Sequence, residues 1–111
     1  MKLYVIEDLQ PEDISVITGR LKAMELEAGL EDLYWLPVPL EHLTPVQKEH
    51  LPRCGPYAMA LEICGDALRM ELLVRARNML RCECIAYASP ALQSHMTGYL
   101  DSLLSENGIA I

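Results

Sequence analysis

Between Tyr57 and Arg81 apolar and charged residues alternate with a period of two, and only a sheet with two unlike faces accommodates that pattern. Gly65-Asp66 interrupts the alternation and predicts a two-residue hairpin loop. That loop sets Cys64 opposite Ala67, Ile63 opposite Leu68, Glu62 opposite Arg69 and Leu61 opposite Met70. Tyr57, Met59, Leu61 and Ile63 then share a core face with Leu68, Met70, Leu72 and Val74. The reverse face carries Ala58, Ala60, Glu62, Arg69, Glu71, Leu73 and Arg75. A third run, Met79 to Ala88, is expected to extend the sheet, with Leu80, Cys82, Cys84 and Ala86 inward and Arg81, Glu83, Ile85 and Tyr87 outward. Keeping that parity needs a three-residue or bulged connection at Arg77-Asn78.

The remaining elements follow from local signals. Leu3 to Ile6 reads as a strand. Pro11 opens a helix whose apolar stripe, Ile14, Ile17, Leu21, Met24 and Ala28, runs to a stop at Gly29. Gly19 within it suggests close packing on a sheet. Asp32 to Val38 reads as a strand parallel to the first, because a strand, helix, strand series over about forty residues implies a right-handed crossover. Thr44-Pro45-Val46-Gln47 is a capping box for a short helix that Pro52 ends near Leu51. Ser89-Pro90 opens a last helix with Leu92, Met96, Tyr99, Leu100, Leu103 and Leu104 along one side. The expected architecture is one α+β domain over 1–111, ordered β-α-β-α-β-β-β-α. It is a two-layer sandwich in which two main helices cover one face of a mixed sheet of about five strands.

Bulk properties narrow the function classes. The 111 residues are 51% hydrophobic, enough for a core without staples. Sixteen acidic against nine basic residues disfavour a binder that tracks nucleic-acid phosphates. Met1-Lys2 leads straight into the first strand, and no run is apolar enough for a membrane span, so a cytoplasmic protein is expected. Its four cysteines are then expected as reduced thiols.

No catalytic motif stands out, and the candidate surfaces are ones for binding. Leu73, Ile85 and Tyr87, with Ala58 and Ala60, place apolar groups among the charges of the outer face, which suits a homodimer. Arg75, Arg77 and Arg81 cluster at one turn, where guanidinium groups could grip an acidic partner. Trp35 is expected in the core. With Tyr57 and the Cys54-Gly55-Pro56 turn it is also the candidate wall of a small-ligand cleft.

Cys54, with His50 and Arg53 nearby in sequence, is the weak catalytic candidate, a thiol that cationic neighbours could activate. Cys82 and Cys84 are expected as buried apolar groups. His42, His50 and Cys54 match no metal template, so neither a metal nor another cofactor is expected. The reading is a non-enzymatic interaction or regulatory module, with a thiol enzyme, a redox-responsive protein and a ligand-binding domain as alternatives.

Overall fold

The computed structural model describes residues 2–111. Its strands are β1 (Leu3–Ile6), β2 (Leu33–Pro37), β3 (Tyr57–Cys64), β4 (Ala67–Glu71), β5 (Leu73–Ala76) and β6 (Ala86–Tyr87). Its helices are α1 (Pro11–Ala23), α2 (Pro45–Cys54) and α3 (Pro90–Glu106). The molecule is α+β, with helices packed on one side of a six-stranded sheet.

The hairpin organises the sheet. β3 and β4 pair in the register set by the Gly65-Asp66 loop, Glu62 opposite Arg69 and Leu61 opposite Met70. β5 continues along β3 with Ala58 opposite Arg75. The two pairings differ by two residues, so the break around Leu72 preserves which side chains face inward. Met59, Leu61, Leu68 and Met70 are fully buried, with Ile17 and Leu21 of α1 and Met96, Leu100 and Leu104 of α3 in the same core. Arg69 lies outside, 3.6 Å from Glu62.

The sheet is antiparallel throughout, not mixed. β1 pairs with β4 and β2 with β3, so the hairpin lies between the two strands expected to be parallel, and they run in opposite senses. The cause is an early end to α1. It stops at Ala23 rather than near Gly29, and the chain reverses through left-handed backbone at Glu25 (φ 59°), Gly29 (φ 85°) and Asp32 (φ 60°). Glu27 bridges to Tyr34 on the way, and β2 enters in the opposite sense. Gly19 is exposed, with no atom near the position its Cβ would take, so it makes no close packing on the sheet.

The third run departs most from expectation. Only Ala86 and Tyr87 pair with β5, and residues 77–85 form a loop. Leu80, expected inside, is 95% exposed, and Ala86 is exposed as well. Trp35 is also outside the core. It stands half-buried on the outer face, while its neighbours Tyr34 and Leu36 are buried. Strand parity dictates this, because Trp35 pairs with Ala60, an outward position.

Candidate metal centre

The loop at 77–85 is tied to both ends of α2. Thr44 caps this helix, its hydroxyl accepting from the Gln47 N–H while the Gln47 side chain accepts from the Thr44 N–H. Gln47 is buried, and its Nε2 donates to the Cys84 carbonyl at 3.0 Å. The Tyr57 hydroxyl donates to the Gln47 carbonyl at 3.0 Å. Asn78 holds the loop's other end, with Nδ2 donating to the Gly55 carbonyl at 2.6 Å and its N–H to the Cys54 carbonyl at 3.1 Å. These polar side chains replace the missing ladder.

Helix α2 does not stop at Pro52. It runs one residue past Arg53 to Cys54, with Pro52 inside, and the Gly55 N–H bonds back to the Leu51 carbonyl at 3.0 Å. That extra turn places His50 and Cys54 four residues apart on one helical face. Cys82 and Cys84 approach the same point from the loop. One donor atom from each of His50, Cys54, Cys82 and Cys84 lies within 4.8 Å of the others. A tetrahedral zinc ion, with bonds of about 2.0–2.3 Å, spaces its donors about 3.4–3.8 Å apart, so this cluster needs only small adjustments to close on one.

The electrostatics suit a cation. His50 Nδ1 lies 3.1 Å from Cys82 Sγ, while Nε2 faces the Glu83 carboxylate at 3.7 Å. A metal-bound imidazole characteristically gives its second N–H to a carboxylate, and Glu83 lies on that side of the ring, just beyond hydrogen-bond distance. The Cys82 thiol is held well down, at about 6, chiefly by the Cys84 backbone N–H and then by the Cys84 side chain, with His50 and Cys54 contributing less. Cys54 is pushed up to about 11, first by burial and then by hydrogen bonds with Cys82 and Cys84. Burial, followed by a hydrogen bond with Cys84, also raises the Tyr57 phenol. Three sulfurs and one imidazole form a soft donor set of the kind that selects zinc among common divalent ions.

This placement corrects the expectation for the cysteines. Cys54, the weak catalytic candidate, is buried beside His50, Cys82 and Cys84. Cys84 is buried as expected, but Cys82 is only partly so, and both belong to a polar cluster with His50. His42 lies apart from it, its ring centroid 4.8 Å from that of His95. Spacing alone hid the set, since His-x-x-x-Cys and Cys-x-Cys here lie in separate segments and Pro52 argued against their common face. The signal available in the sequence is the Cys82-x-Cys84 pair itself.

The binding candidates fall in two places. Leu73 and Tyr87 are cross-strand partners on the outer face. There Arg75 donates to Glu71 from Nε at 2.6 Å and from Nη2 at 3.1 Å, which ties it into the sheet. Arg77, Arg81 and Ile85 belong to the loop, where Arg77 lies over the Trp35 ring at 5.7 Å. The cleft between Trp35, Tyr57 and Pro56 measures about 120 Å³, small beside the several hundred Å³ of a typical small-molecule pocket. No helix among the described residues is long and apolar enough to cross a membrane. Comparison with known proteins finds no matching family model, no matching curated protein and no matching solved structure.

Proposed function

We propose that this chain is a small zinc-binding interaction module, in which His50, Cys54, Cys82 and Cys84 hold one structural Zn²⁺. The observation that carries the reading is the convergence of four donors from two segments within 4.8 Å. The ion neutralises thiolates that would repel one another and fixes a loop with almost no strand pairing. Four protein ligands leave no open position for substrate or water, which favours a structural over a catalytic role. A reducing compartment such as the cytoplasm keeps such cysteines available to metal.

The test is metal analysis of untagged protein purified without chelator. One zinc per chain is expected, and the cobalt-substituted protein should show thiolate charge-transfer and tetrahedral d–d bands. Chelation should lower stability by about 4 kcal/mol, the value for metal at a thousand times its Kd. Metal-free protein with four freely titrating thiols and stability indifferent to zinc would defeat the reading. Cys82→Ser tests the partly exposed ligand with little disturbance to packing. It should lose the cobalt charge-transfer intensity of one thiolate.

A second copy of the chain is the occupant we propose for the outer sheet face. Its charges are paired within the face, Glu62 with Arg69 and Glu71 with Arg75. The strand surface those four residues form is therefore locally neutral on a chain of net charge −7, and two copies can meet over it with the unpaired Arg77 at the Trp35 edge left outside the contact.

A further inference from the structure

The loop at 77–85 displays two large apolar side chains that folding leaves unused. Leu80 is 95% exposed and Met79 45% exposed. Arg77 and Arg81 flank them, both exposed and, among the described residues, without a carboxylate partner. An acidic chain with free arginines concentrated around exposed apolar groups has a surface of distinct chemistry.

The surface also has relief. A cavity of about 100 Å³ is lined by Trp35, Arg77, Met79, Leu80 and Ile85. A second, of about 120 Å³, is lined by Glu25, Leu26, Trp35, Pro37, Pro56 and Arg77. The Trp35 ring and the Arg77 guanidinium over it border both cavities. At 5.7 Å from the ring centroid, the contact with Trp35 holds the Arg77 guanidinium near the cavities while its N–H donors have no carboxylate partner among the described residues.

We infer that Trp35 and the 77–81 loop dock an acidic, apolar peptide segment of another protein, one that seats two apolar side chains beside a carboxylate on Arg77. Charge complementarity chooses this occupant. A second copy related by a two-fold axis through this patch would set Arg77 and Arg81 against their own equivalents. A nucleic acid would meet too few cations on a chain of net charge −7. The inference rests on the zinc reading in one respect, that the ion fixes the loop carrying Leu80.

The experiment is selection of random sixteen-residue displayed peptides on the zinc-supplemented protein, with metal content measured on the same sample. Enriched sequences should pair apolar residues with Asp or Glu. Synthetic versions should lose about tenfold or more in affinity on Leu80→Ser and on Arg77→Glu. A Lys-for-Glu peptide should recover binding to Arg77→Glu. Both variants alter exposed side chains, so folding is retained. No enrichment, enrichment without acidic residues, affinity unmoved by either variant, or binding only to phosphatidylserine vesicles or single-stranded DNA would overturn the docking surface. Acidic peptides selected by a metal-free protein would instead overturn the zinc reading and leave docking intact. A zinc-loaded protein that selects nothing would do the reverse.

Discussion

At the scale of single residues, Tyr4 shows how one polar contact ties the two layers together. Its hydroxyl donates to Asp101 Oδ1 at 2.6 Å, joining β1 to α3. That bond, with burial and the nearby negative charge, raises the phenol from 10.0 to about 12. The folded state therefore favours the protonated phenol. Its contribution is complete below pH 10 and fades as pH rises from about 10 to 12. Tyr4→Phe should cost about 1–2 kcal/mol at neutral pH. It should also flatten the loss of stability between pH 10 and 12, as measured by urea unfolding at intervals across that range. An alkaline fall as steep in the Phe variant as in the parent would show that Tyr4 does not carry the effect. The contact itself was not legible beforehand, because nothing local links residue 4 to residue 101.

At the scale of elements, short-range signals carried the helix starts and the hairpin, while long-range contacts decided where elements end. Thr44-Pro45-Val46-Gln47 and Ser89-Pro90 act locally, and both open helices as their caps demand. Pro52 shows the limit. Its missing N–H and ring disfavour a helix interior, yet α2 continues because burying Cys54 and joining it to the loop outweigh that penalty. The candidate site was hidden by that reversal, as well as by a loop at 77–85 whose alternation mimicked a strand. Gly19 and Gly98 lie inside helices with open space where a side chain would go. Changing either to Ala should stabilise the protein by about 0.5–1 kcal/mol through helix propensity alone. Thermal unfolding of each variant checks this. A lowered midpoint would mean that the glycine serves some contact absent from the free chain.

At the scale of the whole molecule, the side-chain parity of the hairpin is legible in the sequence, whereas the sense of β2 relative to β1 is not. Alternation fixes which side chains point inward, whereas adjacency depends on which edges meet, and that information is not local. The uncovered face makes the pairing of two chains testable. Sedimentation equilibrium at high micromolar concentration should give twice the 12.5 kDa chain mass, and Leu73→Glu should return it to one. A single-chain mass for the unmodified protein removes the second copy from that face.

The four donors come as two pairs, separated in sequence by the whole β3–β4–β5 hairpin. If the proposed zinc binds there, an unfolded chain would keep only the weak local chelation that each pair offers, and nearly all affinity for the ion would belong to the native state. Once the site is saturated, every tenfold rise in free zinc deepens the native well by about 1.4 kcal/mol. The lifetime of such a molecule in a cell would then follow the supply of a micronutrient, scarce zinc leaving more of it open to degradation before any partner is met.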